Sequence, residues 1–374
     1  MSDPSRILEQ SLTRASANLS KPLVKNKQVL ERTEYVCRCL QNRAGVRLLM
    51  ACLLAKIHRP GVDPRKPYTE IGDPDAFSGR SYDEAYITHF INTNRLPCNS
   101  TTAFLTPALR NIDRTLSTDV EIVGRPRQLY TDALQLLNDV HVGQVSAKDL
   151  LAEVIRVLLI MRDEKISRMA TLLAGLQHAE DVMPLSSEAI VTLIEQHLKV
   201  KNSSRLPVLV VAAAYQVVGD KIGEKLLPLK GHNAADEQTG AMGDVEICLV
   251  NDDKVVTAYE MKMKRVRIDD IDRALQKIVA ASTHIHNYIF ITTEILDDHV
   301  AEYAAASYRL TDGTEIAILD CVGFLRHFLH LFHRLRTSYL DAYQTLLLAE
   351  PDSAVSQPLK EAFLALRQAA EADE

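Results

Sequence analysis

The stretch that decides the fold is GDVEICLVNDDKVVTAYEMKMKRVR, from Gly243 to Arg267. Two apolar runs flank the polar turn Asn251, Asp252, Asp253 and Lys254, which is the pattern of a β-hairpin. The expected strands are Asp244 to Val250 and Val255 to Lys264. Side chains alternate between the faces of a strand, so Glu260 and Lys262 point one way while Met261 and Met263 point the other. Asp244 stands about as far before the turn as Glu260 stands after it. Folding at the turn therefore gathers Asp244, Glu260 and Lys262 at one edge of the sheet.

Downstream the sequence alternates regularly. "IDDIDRALQKIVAAS" is an amphipathic helix, "HNYIFITTE" a strand, "ILDDHVAEYAAASYRL" a helix, "TEIAILD" a strand, and "VGFLRHFLHLFHRLRTSYLDAYQTLLL" a long helix. Upstream, "LPVLVVAAAYQVVGDKIGEKL" reads as a buried helix, with a strand open for its first half. An antiparallel hairpin feeding parallel crossovers gives an α/β (mixed α+β) fold, with a mixed sheet flanked by helices. The N-terminal part is different in texture. One helical pattern covers Val29 to Ile57, an irregular stretch follows from Pro60 to Asn111, and helices return at Pro126 to Val140, Ser146 to Gln177 and after Ser186. The polar "KVKNSSRLP", Lys199 to Pro207, is the expected boundary between a mainly helical region, 1–200, and a second domain, 201–374.

The composition narrows the function. With 374 residues, 47% hydrophobic and 25% charged, and no long apolar run or leader-like N-terminus, the expectation is a soluble cytoplasmic protein. A net charge of −6 argues against a protein that coats nucleic acid non-specifically, because such binding depends on Lys and Arg neutralising phosphates. It leaves room for a local basic cleft. The six cysteines, 37, 39, 52, 98, 248 and 321, form no paired CxxC and so predict neither structural zinc nor a disulfide framework.

Two carboxylates from neighbouring strands suit a hard cation, above all Mg²⁺, and a lysine beside them offsets charge building on a phosphate. That set meets the needs of phosphodiester hydrolysis. An acid, a gap and a lysine also occur at Asp163 to Lys165 and Asp252 to Lys254, where a helical charge cluster and a turn explain them. "YEMK" differs because it ends an apolar strand and is matched by "GDVEI". The plainer alternative is an edge salt bridge from Glu260 to Lys262 or Lys264.

"GDVEI…YEMK" resembles the signature of the PD-(D/E)XK nucleases, with Gly243 where the signature has proline. Together with "HNAADEQTGAMGDVEI", "PYTEIGDPDAFSGRSYDEAYITHFI" and "LPCNSTTAFLTPALRN", it is similar to the SacI-type family of type II restriction endonucleases. The resemblance implies a PD-(D/E)XK core, with Asp244 and Glu260 as Mg²⁺ ligands and Lys262 as the catalytic lysine. It also implies site-specific hydrolysis of double-stranded DNA and a cognate DNA methyltransferase in the host. A twofold homodimer would match a palindromic substrate. Glu224, expected on the helix before the loop, is either a further acid of the metal site or a helix-end charge near Lys225. Glu246 either shares the face of Asp244 or pairs with Lys264.

DNA contacts are expected from the loop residues His232, Asn233, Asp236, Gln238 and Thr239, and from Lys264, Arg265 and Arg267 beside the site. In the irregular N-terminal stretch the candidates are Arg80, Asn99, Thr101, Thr102, Arg110 and Asn111, each also open to a cap or turn role. His327, His330 and His333 recur at threes, but their angular drift around a helix favours core or interface packing over a metal face. Two other readings stand beside restriction: a structure-selective or repair nuclease of the same fold, and a nuclease-like DNA-binding protein that does not cleave.

Overall fold

The computed structural model describes residues 3–39, 41–99, 102–110, 112–177, 183–230, 241–281 and 284–373. The chain forms two compact units, 1–168 and 169–374. The first is helical and holds α1 (Pro4–Ser16), α2 (Lys27–Arg38), α3 (Ala44–His58), α4 (Gly79–Tyr82), α5 (Thr88–Thr93), α6 (Arg127–His141) and the start of α7 (Ala147–Gln177). The periodic stretch expected as one helix is two. Asn42 separates them: its side-chain oxygen accepts from the Ala44 amide, and its side-chain nitrogen donates to the Arg125 carbonyl and the Tyr130 hydroxyl. Nearly all of α3 up to Ala55 is buried, as its lack of a polar face requires.

The second unit adds α8 (Ser187–Leu198), α9 (Leu206–Ile222) and β1 (Glu224–Leu226), then β2 (Val245–Leu249), β3 (Val255–Lys262) and α10 (Ile268–Ala280). β4 (Asn287–Thr292), α11 (Asp298–Ala306), β5 (Glu315–Asp320), α12 (Cys321–Leu331), α13 (Arg336–Ala349) and α14 (Gln357–Asp373) follow. Ser186 caps α8 by accepting from the Ala189 amide. α8 buries Ile190, Val191, Ile194 and His197 inside the second unit, so the polar segment near residue 200 is a turn between two helices of that unit.

The sheet order is β1-β2-β3-β4-β5. The first three strands are antiparallel, and β3, β4 and β5 are parallel. Alternation divides its faces. Val245, Ile247, Tyr259 and Ile291 join the core that holds α8, α9 and the C-terminal helices. Ala258, Tyr288, Phe290 and Ile316 join a second core with Ile271, Ala274 and Ile278 of α10 and with Val300 and Ala304 of α11. The hairpin and the strand–helix–strand order thus follow the pattern of the sequence. Two departures stand out. Gly223, in the left-handed region at φ 78°, ends α9 and turns the chain into β1, which sequence reading had merged with the helix. The long C-terminal helix breaks after Leu331 into α12 and α13.

Candidate active site

Val245 lies opposite Tyr259 across the β2–β3 ladder, which brings the start of β2 against the end of β3. Asp244 Oδ2 there accepts from the Met261 backbone N–H at 2.8 Å. Gly243 explains how the chain approaches so closely. A Cβ on it would sit 2.5 Å from the Tyr259 carbonyl oxygen, inside van der Waals contact. Glycine at position 243 is therefore a steric requirement of this backbone.

Glu260 and Lys262 share the face covered by α10. Lys262 Nζ lies 3.0 Å from Glu260 Oε1 and 3.5 Å from Asp270 Oδ1. The other Glu260 oxygen accepts from the Tyr288 hydroxyl at 3.4 Å and faces Lys277 Nζ at 3.6 Å. The edge ion pair that sequence reading held as the plainer alternative is thus present, as one link of a longer chain of charges. Asp270 also accepts from the Arg267 amide at 3.0 Å and from Arg273 at 2.5 Å. Burial works to raise the Asp270 carboxyl, but the Arg267 amide, the Lys262 ammonium and Arg273 together hold it below its ordinary value.

Glu224 takes a different place from the one expected. It lies on β1, opposite Leu249, at the other end of β2 from Asp244. Leu249 is four residues from Val245, about 13 Å along a strand at about 3.3 Å per residue. Its strand neighbour Leu226 packs on the core side of α9, the face opposite Glu260. There Glu224 lines a cavity of about 600 Å³ with Tyr215, Asp220 and Arg205, and burial raises its pKa. Glu246 pairs with Lys230 at 2.8 Å and accepts from the Met242 amide at 2.7 Å, so its partner is Lys230 where Lys264 had been considered.

The expected DNA contacts divide. Lys264 and Arg265 are exposed just beyond β3, with Arg265 paired to Asp297 at 2.9 Å. Arg110 is exposed, and Arg80 pairs with Glu84 at 2.8 Å. The Asn99 main-chain carbonyl accepts from the buried Arg47, and the Thr102 hydroxyl donates to the buried Asp83. His232, Asn233, Asp236, Gln238, Thr239, Thr101 and Asn111 lie outside the described residues. His327, His330 and His333 are exposed, against the expectation of core packing, and His330 lies 2.8 Å from Glu188.

Sequence reading missed Asp270, Lys277 and Tyr288. Asp270 and Lys277 are seven residues apart on the helix that follows β3, a spacing that returns to the same helix face. That signal has meaning only once α10 is known to lie over Glu260.

Among the described residues, no three His, Cys, Asp or Glu side chains form a cluster able to hold a metal. Among the described residues, no helix is long and apolar enough to cross a membrane. No curated protein matches the chain at a significant level. Residues 184–294 match the family model of the SacI restriction endonuclease C-terminal domain. That segment contains α8, α9, the β2–β3 hairpin, α10 and β4, and with them Asp244, Glu260, Lys262, Asp270 and Lys277. By this match residues 184–294 of the second unit are similar to a restriction endonuclease domain of the SacI type.

Proposed function

We propose that the chain is a Mg²⁺-dependent type II restriction endonuclease of the PD-(D/E)XK superfamily, hydrolysing double-stranded DNA at a specific site. The observation that carries this reading is the meeting of Asp244 with the Glu260–Lys262 end of β3, within the matched segment. Asp244 and Glu260 offer carboxylate oxygens, the donors that a hard divalent cation prefers. The donor chemistry fits such an ion, and the tie of Asp244 to the β3 backbone at the residue after Glu260 supports the reading. When bound, Mg²⁺ would supply Lewis-acid stabilisation of charge on the phosphate.

The chain's own residues account for the rest. Asp244 and Glu260 would hold the cation. Lys262, kept at this edge by Glu260 and Asp270, presents an ammonium to the attacked phosphate and to the water aligned for in-line attack. The products are a 5′-phosphate and a 3′-hydroxyl. Lys264 and Arg265, exposed beyond β3, meet the DNA backbone, while bases are read by residues of the segment before Asp244 and of the first unit. A twofold homodimer cuts the two strands of a palindrome, and a cognate methyltransferase protects the host.

The test is to incubate the purified chain with a fully sequenced plasmid and Mg²⁺ and to sequence the fragment ends. Discrete fragments with a common end sequence support the proposal. Nicks or smears would favour a structure-selective nuclease. No cleavage of any substrate, with DNA binding retained, would favour a protein that binds without cutting.

A further inference from the structure

The charges around β3 alternate in sign along one line: Asp270, Lys262, Glu260, Lys277. α10 provides both ends of this line. Asp270 and Lys277 are two turns apart on one face, and the buried residues Ile271, Ala274 and Ile278 fix the helix against the sheet. Each oxygen of Glu260 faces an ammonium, Lys262 at 3.0 Å and Lys277 at 3.6 Å. A divalent cation approaching this carboxylate meets two positive charges within a few ångströms, in a site where the Glu260 side chain is only 17% exposed.

Both lysines face Glu260. Lys262 has Asp270 as a second anion and can lean toward it while remaining at the reacting edge. Lys277 faces Glu260 from a flexible four-carbon stem, 27% exposed. We infer that Lys277 is the resident counter-cation of Glu260, which competes with a divalent cation for that carboxylate until a DNA phosphate draws its ammonium away. The inference rests on the nuclease reading above, since it takes Asp244 and Glu260 as the metal ligands. Its consequence is reciprocal coupling: DNA tightens metal binding, and metal tightens DNA binding by the same factor.

The experiment measures binding of Mn²⁺ to the full chain without DNA, by the loss of the free-ion electron paramagnetic resonance signal. Lys277→Met is expected to bind Mn²⁺ roughly tenfold tighter than the unaltered chain, within the usual range of coupling factors. Lys277→Arg, which keeps the charge, is expected to match the unaltered chain. Saturating cleaved product duplex, which cannot be cut again, should raise the affinity of the unaltered chain toward that of Lys277→Met. Equal affinity in the two chains, or no binding by either, overturns the inference, as does a gap that product DNA leaves unchanged. Asp244→Asn and Glu260→Gln in the Lys277→Met background separate the two levels. If they leave Mn²⁺ binding intact, the site reading itself fails; if they abolish it while Lys277→Met has no effect of its own, only the role of Lys277 fails. Thermal melting of each variant shows that a fold was kept.

Discussion

The two units each carry a cluster of opposite charges, and the clusters are built on opposite terms. In the first unit, Arg47 of α3 and Asp83 are fully buried. The guanidinium reaches Asp83 Oδ1 from Nε at 2.9 Å and from Nη2 at 2.5 Å, the Asn99 carbonyl at 2.6 Å and the Thr88 hydroxyl at 2.7 Å. The second Asp83 oxygen accepts from the Thr102 hydroxyl at 2.7 Å and from the Ala103 amide at 2.8 Å. Each charge is met by several fixed partners, and together they tie Asp83, Thr88, Asn99, Thr102 and Ala103 to α3. In the second unit, Glu260 and Lys262 are 17% and 26% exposed, and each has more than one partner of opposite sign. A buried network has one low-energy arrangement, because any loss leaves a charge without compensation. A partly open ladder can exchange partners at small cost, and a site that must admit a cation and a phosphate needs that freedom.

The comparison can be broken most directly by Lys262→Ala. Cleavage by the mutant is expected to fall by about 10²–10³-fold, the range for removing one preorganised charge-stabilising group. Its melting temperature should change little. A large fall in the melting temperature would show that the ladder is a structural clasp like Arg47 and Asp83.

The reverse outcome is expected for Arg47→Met. Leaving Asp83 buried without its cation should destabilise the first unit by about 3–5 kcal/mol. Loss of amide-exchange protection across α3 and the 83–103 segment reports this. Arg47→Met combined with Asp83→Leu should recover part of the stability, since replacing both charges removes the orphan. No recovery would mean that the segment is held by the other groups of the network.

His197 sharpens the comparison from the side of pH. It is buried on α8 between the Tyr343 hydroxyl at 3.0 Å and the Leu359 carbonyl at 2.9 Å, and burial pushes it down to about 4 from an ordinary 6.5. The carbonyl can only accept, so Nε2 donates and the neutral ring accepts at Nδ1 from the tyrosine. Its folded pKa lies below the unfolded one, so the unfolded chain binds the proton first. Its stabilising effect is whole above pH 6.5 and is lost as the pH falls toward 4, by on the order of 2–3 kcal/mol. His197→Gln should flatten that part of the stability profile. An unchanged slope in the variant would assign the acid sensitivity to other groups.

The smallest effect belongs to the exposed pair of Arg80 and Glu84. Arg80→Ala should change stability by less than about 0.5 kcal/mol, as for i,i+4 pairs on a helix. If Arg80 touches a phosphate, the mutant's DNA affinity falls at low salt and its salt dependence becomes shallower. Unaltered binding would remove Arg80 from the DNA surface.

Much of the second unit was legible because its signals are local. Alternation marked β2, β3, β4 and β5, a 3.6-residue period marked α10, and the turn at 251–254 closed the hairpin that brings Asp244 to β3. β1 was not legible: three residues after a left-handed glycine carry too little pattern to separate from the helix before them. The break between α2 and α3 was hidden for a different reason. Asn42, between the two helices, accepts from the Ala44 amide at the start of α3 and donates to Arg125 and Tyr130, residues more than eighty positions away. The placement of Glu224 failed with β1, because moving it from a helix end to a strand carries it to the far end and the other face of the sheet.

By itself, the sequence determined the hairpin, the parallel crossovers after it, and the pairing of an acid before the turn with an acid and a lysine after it. These follow from the two-residue period of a strand and a turn of fixed length, both of which act over neighbouring residues. Only the tertiary structure decided what surrounds that set. α10 lays Asp270 and Lys277 over β3, β4 brings Tyr288 beneath Glu260, and α3 meets the 83–103 segment through Arg47. Which charges meet across such distances depends on which apolar faces pack together, and a local pattern carries no record of its distant partner.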